Sequence, residues 1–502
     1  MAAVKTGEAS LVVVKRIFLI LNSNKRLLIM SYFSETTGLY TDFYELTMAY
    51  GYFRRGRADE RAVFDYFYRT NPFQNGFTVY AGLRDLLEML EQFTYSAADL
   101  EYLRGLGFAE DFLEYLRDFR FRGTLYSMEE GEVVFPGEPL VRVEGGLIET
   151  QLVESMLLNV LNFESLVATK AFRVRQAAGP RLVSEFGLRR AQGLGAMMAT
   201  RASVIGGADS TSNTLAAMKY SIPAAGTQAH SWIQSFDTEL EAFLAYAEVH
   251  GSKTILLVDT YDTLRSGIPN AILTAKAMEE RGERLFGVRL DSGDLAYLSK
   301  KARKLLDDAG LPYVKIVASN QLNEHVIMSL LNEQDAPIDS FGVGTELVSA
   351  KPDAALDGVY KLAAVGNSPR MKISENVEKV TLPGSKCVVR FYDAEGLFFR
   401  DGIFLEEECL SGEMVIHNPN FPEKQTDVSG LRFEHLLKPV YAEGKRLVEE
   451  KTPMEINSYL QERVALLPAE HRRFVRPHIY KVGISGKLLQ LRSDLVHSVD
   501  KK

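Results

Sequence analysis

Ile222-Pro223-Ala224-Ala225-Gly226-Thr227-Gln228-Ala229-His230-Ser231-Trp232 reads as a short apolar strand, 222–225, that breaks into a polar turn and then a helix start. His230 stands where that helix begins, and the only tryptophan of the chain follows two residues later. Three more polar clusters occupy the same kind of place, the end of an apolar run: Arg289-Leu290-Asp291-Ser292-Gly293-Asp294, Ala318-Ser319-Asn320 and Gly342-Val343-Gly344-Thr345. Polar clusters repeated at successive strand ends are how an α/β barrel assembles an active site.

The surrounding pattern carries the same message. Apolar strand candidates fall at 182–186, 203–205, 222–225, 254–258, 285–290, 314–318, 338–343 and 359–364. Helical segments separate most of them, at 211–220, 236–250, 270–281, 295–309 and 322–331. Strands alternating with helices argue for a parallel sheet, and close to eight such units predict an irregular α/β barrel. An open doubly wound sheet is the alternative. Upstream, 41–53 reads as a helix, with Tyr44, Met48 and Tyr52 about a turn apart. A strand at 61–69 is expected to pair with 76–81 across the Asn71-Pro72 turn, followed by helices at 83–93 and 97–119 and a strand-rich stretch at 125–143. The stretch 149–178 is a long, largely apolar helix, and 452–467 a late one. The expected organisation is an N-terminal extension at 1–35, probable disorder included, an N-terminal α/β domain at 36–148, a catalytic barrel at 149–380 and a C-terminal region at 381–502 that packs on both.

Composition bounds the function classes. The chain has 502 residues, 46% hydrophobic and 25% charged, ordinary for a globular protein of two or three domains. A net charge of −8 argues against a nucleic-acid partner. The two cysteines, Cys387 and Cys409, suit free thiols in a reducing compartment, so a cytoplasmic location is expected. The eight histidines form no metal-ligand pair, and no structural metal site is expected. Charges at Lys15, Arg16, Lys25 and Arg26 break the apolar N-terminus, so no membrane span is expected there. Met30 is a candidate start, and residues 1–29 are expected to be dispensable.

The clusters carry chemistry of different strength. Glu185-Phe186-Gly187-Leu188-Arg189-Arg190 puts two arginines at a strand end, suited to a phosphate or carboxylate; an arginine pair at the surface is as common. In Gly206-Gly207-Ala208-Asp209-Ser210-Thr211-Ser212-Asn213, Asp209 or Ser210 is expected to cap the next helix. Arg289 and Asp291 fall on one face of their strand, and an arginine there can stack on a ring and pair with a carboxylate. Asp294 is expected to cap the helix after it. Gly342, Gly344 and Thr345 offer backbone amides and a hydroxyl to a phosphate, without Walker or dinucleotide-fingerprint spacing. A neutral His230 can attack phosphorus or act as a base, and Asp259 is the carboxylate best placed to orient it.

As an ordered set, Thr41-Asp42-Phe43-Tyr44-Glu45-Leu46-Thr47-Met48, the segments 185–193, 226–232 and 287–294, and 342–345 resemble the nicotinate phosphoribosyltransferases. The resemblance implies a type II phosphoribosyltransferase fold. It implies formation of nicotinate mononucleotide and pyrophosphate from nicotinate and phosphoribosyl pyrophosphate, with coupled ATP hydrolysis and Mg2+, in NAD biosynthesis. It puts a transiently phosphorylated histidine at His230 and nicotinate contacts at Tyr44, Thr227 and Arg289. Phosphoribosyl pyrophosphate contacts fall at Thr345, with Gly342 and Gly344 beside it. It also implies a homodimer in which Tyr44 reaches the neighbouring subunit's site. The related nicotinamide phosphoribosyltransferase and a catalytically silent barrel that binds NAD precursors are the competing readings.

Overall fold

The computed structural model describes residues 37–373, 381–408 and 410–500. The expected N-terminal extension at 1–35, with Met30, and Cys409 lie outside the described residues.

Six strands form one wholly parallel sheet, in the order Ser210–Thr211, Leu182–Glu185, Ser340–Val343, Lys315–Ser319, Gly287–Leu290, Ile255–Leu257. The 222–225 segment extends it at one edge, through a single parallel bridge between Thr211 and Ala224. At the other edge, Gln228 Nε2 donates to the Ile255 carbonyl at 3.4 Å, so a side chain spans the seam that a strand ladder would otherwise close. The result is an irregular barrel. The strands are continuous apolar runs because helices cover their outer faces and side chains fill the inside. Leu256, Leu257, Val288, Leu290, Ile316 and Val343 are all buried.

Two expected strands are something else. The 203–205 segment lies inside the helix Gly195–Gly206, which is buried from Ala196 to Gly206. A helix apolar all round cannot be told from a buried strand by periodicity. It packs closely on the helix Glu154–Ala178: a Cβ on Gly206 would stand 2.2 Å from the Ala168 carbonyl oxygen. The run at 359–364 does form a strand, Gly358–Val365, but it leaves the barrel and pairs antiparallel with Arg61–Tyr68.

That pairing builds a second, antiparallel sheet of seven strands, with Arg61–Tyr68 between Gly358–Val365 and Val141–Gly146. Both flanks of Arg61–Tyr68 are therefore taken, and the expected hairpin with 76–81 does not form. Thr78–Val79 pairs with Val133–Val134 instead. The expected 97–119 helix is two helices, Ala97–Gly105 and Glu110–Arg117, because Gly107 turns left-handed at φ 91°. A third, mixed sheet of six strands carries much of 386–485, and the late helix spans Pro453–Leu466 behind a Thr452 capping box.

The stretch Leu147–Ala178 is long and apolar enough to cross a membrane by length and composition alone. Its most apolar window is 72% buried inside the protein, against the N-terminal sheet on one side and the Gly195–Gly206 helix on the other, as a core helix is.

Candidate active site

A cavity of about 450 Å³ opens at the C-terminal ends of the parallel strands. Arg189, Thr227, Arg289 and Asp291 line it, and so do Gly342, Gly344 and Thr345. Seven residues scattered over more than 150 positions of sequence thus meet in one hollow because each follows a strand of the same sheet. Tyr44, His230 and Asp259 do not line it.

Arg289 is the centre of the polar wall. Its Nη1 donates to Thr227 Oγ1 across the barrel seam. Its Nε is buried and has no hydrogen-bond partner among the described residues. Burial lowers its pKa, against the opposing pull of the Asp291 and Asp259 carboxylates. Asp291 accepts from Ser319 Oγ on the neighbouring strand, which fixes the carboxylate beside the guanidinium. Arg189 and Arg190 sit on the exposed turn Leu188–Arg190 and make no ion pair among the described residues. They are available to an anion.

The glycines are there for packing. A Cβ on Gly342 would lie 2.5 Å from the Phe186 ring, and one on Gly344 2.8 Å from the Phe186 carbonyl oxygen. Phe186 therefore presses its ring into the cavity wall while its amide bonds to the Val343 carbonyl at 2.8 Å. Below it, Glu185 accepts from Thr211 Oγ1 at 2.6 Å and Thr200 Oγ1 at 2.9 Å, and from the Gly187 amide. This buried carboxyl, its pKa raised by desolvation, holds the loop that carries the arginines. Phe186, Gln228 and Gln321 line the cavity without having been singled out from the sequence. Phe186 had a signal, an aromatic residue at the same strand end as two arginines; Gln228 and Gln321 had none.

His230 opens the helix His230–Gln234, directly after the cavity-lining Ala229. Its Nδ1 lies 3.0 Å from Thr260 Oγ1. The expected Asp259 partnership is therefore corrected: Asp259 Oδ2 accepts from the Asp291 amide at 3.0 Å and Ser292 Oγ at 2.5 Å, and makes no hydrogen bond to His230. Thr260, in the bend just past Asp259, is the residue that meets the imidazole. Asp259 Oδ1 is buried without a partner. Trp232 is structural, its Nε1 bonded to the Ala242 carbonyl at 3.0 Å. The Asp209 cap is also corrected. Asn213 caps the helix Thr214–Tyr220, while Asp209 accepts from the Val183 amide at 2.7 Å and pairs with Arg175. Asp294 caps its helix as expected, accepting from the Tyr297 amide at 2.9 Å.

Tyr44 lies on the helix Phe43–Arg54 and is 46% exposed; burial of its inner part and the nearby Glu154 raise its pKa. Tyr40, Phe43 and Met48 are exposed with it.

An irregular parallel barrel with its cavity at the strand ends, carried beside an antiparallel N-terminal sheet, defines an α/β enzyme of the type II phosphoribosyltransferase fold. The chain belongs to the nicotinate phosphoribosyltransferase family. Residues 39–162 match the N-terminal domain of that family, 182–408 the family's main region and 385–492 its C-terminal domain. A nicotinate phosphoribosyltransferase of Bacillus subtilis is 42% identical over 480 residues, covering 93% of this chain and 96% of the relative. One from Homo sapiens is 35% identical over 518 residues, covering 91% and 96%. The crystal structure of human nicotinic acid phosphoribosyltransferase superposes with a TM-score of 0.82 at 34% identity, covering 91% of this chain and 99% of that one.

Proposed function

We propose that the strand-end cavity joins nicotinate to phosphoribosyl pyrophosphate, forming nicotinate mononucleotide and pyrophosphate in NAD biosynthesis. One observation carries this reading: Arg289, anchored by Thr227 with the Asp291 carboxylate nearby, keeps a buried Nε–H without a partner in a cavity that Phe186 also lines. A flat ring bearing a carboxylate answers both features, the ring against Phe186 and the carboxylate on the guanidinium. Nicotinamide offers no negative charge to Arg289, which favours the acid over the amide as substrate. The free arginines Arg189 and Arg190, with the Gly344–Thr345 turn, suit the phosphates of the second substrate.

The chemistry asks little acid or base of the protein. The pyridine nitrogen is already a nucleophile, and the ribose carbon turns cationic as pyrophosphate leaves. Positioning the ring and holding the departing charge supply the rate. Among the described residues no group of three His, Cys, Asp or Glu is arranged to hold a metal. Mg2+ would arrive on phosphate oxygens with one or two carboxylates, the half-buried Asp291 in the cavity wall being the candidate. When bound, it would neutralise pyrophosphate charge.

For ATP coupling, His230 is the proposed phosphoryl acceptor. With Thr260 on Nδ1, its Nε2 is left to attack the γ-phosphorus: the N–P bond forms, the bond to the bridging oxygen breaks, and ADP leaves. Acid-labile, base-stable label from γ-labelled ATP, lost in His230→Ala, tests this step. The exposed Tyr40, Phe43, Tyr44 and Met48 support a homodimer in which Tyr44 serves the partner subunit's site. Nicotinate mononucleotide formation, measured with nicotinate or nicotinamide and with or without ATP, tests the whole reading. Turnover of nicotinamide alone identifies the nicotinamide enzyme. Ligand binding with no turnover of either identifies a silent barrel.

A further inference from the structure

A second cavity, of about 500 Å³, shares no lining residue with the first. It lies where the barrel helices, the 70–74 loop of the N-terminal sheet and the C-terminal 474–476 segment meet. Its volume is that of a small-ligand pocket.

Three features distinguish it from a packing gap. The first is backbone strain. Phe73, Gln74 and Arg476, all lining it, hold φ of 59°, 52° and 49°, the left-handed region that non-glycine residues avoid. Such conformations are costly and gather at ligand sites. Asp353 Oδ2 accepts from the Phe73 amide at 2.5 Å and keeps the loop there.

The second is a buried cation with an unused donor. Arg173 is 2% exposed. Its Nε bonds to Glu324 Oε1 at 3.1 Å and its Nη1 to Asn75 Oδ1 at 3.1 Å, while Nη2 has no hydrogen-bond partner among the described residues. The Glu324 carboxylate is already matched by Lys170, whose Nζ lies 2.5 Å from Oε2. Two buried cations thus face one buried carboxylate.

The third is the rim. Arg476 makes no ion pair among the described residues, and His325 stands edge-on to Phe474. The rim acids are engaged elsewhere, Asp353 with the Phe73 amide and Asp357 with Arg69 at 3.5 Å. They still disfavour a polyanion. The Phe73 and Phe474 side chains supply apolar wall, with the Arg173 guanidinium 4.3 Å from the Phe474 ring centre.

We propose that this cavity is a second ligand site, taking a compact metabolite with one oxyanion group, a carboxylate or a phosphate monoester. Arg173 Nη2 and Arg476 hold the oxyanion, and Phe73 and Phe474 cover the carbon skeleton. The β-strand loop at 319–323 joins it to the first cavity: Asn320 and Gln321 line one, Glu324 and His325 the other.

The test uses the full chain with Arg289→Ala, which weakens oxyanion binding in the first cavity. 19F NMR titrations with 4-fluorobenzoate and with 4-fluorophenyl phosphate distinguish a carboxylate from a phosphate. Saturable binding of either probe is expected, weakened on the order of tenfold by adding Arg476→Ala, the loss of one charged hydrogen bond. Arg173→Met should abolish it. Because Arg173 is buried and that variant can fail to fold, Arg476→Ala, at an exposed side chain, decides. No saturable binding of either probe, or binding unchanged by Arg476→Ala, overturns the proposal.

Discussion

Arg289 and Arg390 are both flanked by carboxylates, Arg390 fully buried and Arg289 half-buried with its Nε inside, and they are put to opposite use. All three side-chain nitrogens of Arg390 are engaged. Nε and Nη2 fork onto Asp401 at 3.0 and 2.7 Å, Nη1 reaches Glu132 at 2.6 Å, and Nη2 also meets the Val133 carbonyl at 2.8 Å. Arg289 holds one hydroxyl and leaves Nε empty. Burial opposes the charge on both. At Arg390 the Asp401 and Glu132 carboxylates outweigh it and raise the pKa; at Arg289 burial wins and lowers it. A saturated arginine is a joint, here locking the strand pair Lys386–Tyr392 and Phe398–Leu405 to the N-terminal Val133. An unsaturated one is a binding site waiting for a partner.

The sharpest way to break this contrast is to remove each arginine and read stability and turnover separately. Arg390→Met strands Asp401 without its cation and leaves Glu132 to Arg463 alone, and removing one partner of a buried ion pair costs about 3–5 kcal/mol. Chemical denaturation should show that loss, with the activity of the surviving folded fraction unchanged. Arg289→Lys should do the reverse. It keeps the charge but loses the planar fork, and kcat/KM for nicotinate should fall about a hundredfold, near 2.7 kcal/mol of transition-state binding. Its melting temperature should barely move. Equal losses in both measurements for either variant would erase the distinction between joint and site.

The joint carries a titration of its own. Glu138 is buried, its Oε2 accepting the Phe135 amide at 3.2 Å and its Oε1 without a donor beside Asp401. Burial first, then Asp401, raises its pKa well above the usual carboxylate range, with Arg390 opposing. A carboxyl raised in the folded state keeps a proton that the unfolded chain has released. Its stabilisation is full below the unfolded pKa and is lost as pH rises through the folded value. Unfolding free energy should therefore decline above the ordinary glutamate range, by at most about 1.4 kcal/mol per pH unit. Glu138→Gln should flatten that slope. A slope unchanged in the variant assigns the titration to another group.

The two regions differed in how much of them was legible beforehand. The site was readable because each polar cluster ends an apolar run, so Arg189, Thr227, Arg289, Asp291 and Gly342 to Thr345 could be collected before any strand was paired. The joint was not: Glu132, Arg390 and Asp401 are joined only by tertiary packing, and no local pattern marks such partners. The same limit explains the strand errors. Val204 and Ile205 look alike in a buried helix and a buried strand, and the 359–364 run shows its apolar character without showing which sheet it joins. Nothing local marks Thr260 rather than Asp259 as the partner of His230, and a position-only reading took the carboxylate.

That last correction has the smallest expected effect and separates two ways a side chain can serve His230. Thr260 Oγ1, 3.0 Å from Nδ1, fixes the ring orientation by one neutral hydrogen bond. Such a bond is worth about 0.5–1.5 kcal/mol, so Thr260→Val should slow phosphoryl transfer from ATP to His230 by about two- to tenfold. Asp259 acts at one remove. Its Oδ2 holds the Asp291 amide and Ser292 Oγ, and so the turn that follows Arg289. Asp259→Asn should therefore raise KM for nicotinate while leaving the rate of histidine labelling nearly unchanged. Single-turnover labelling with γ-labelled ATP reads the first quantity and steady-state nicotinate kinetics the second. If Asp259→Asn slows labelling and Thr260→Val does not, the carboxylate orients the histidine after all, through a rearrangement that substrate binding brings about. If the two variants divide as expected, the hydroxyl serves the histidine and the carboxylate serves the arginine, which gives two adjacent residues separate roles in the two halves of the proposed reaction.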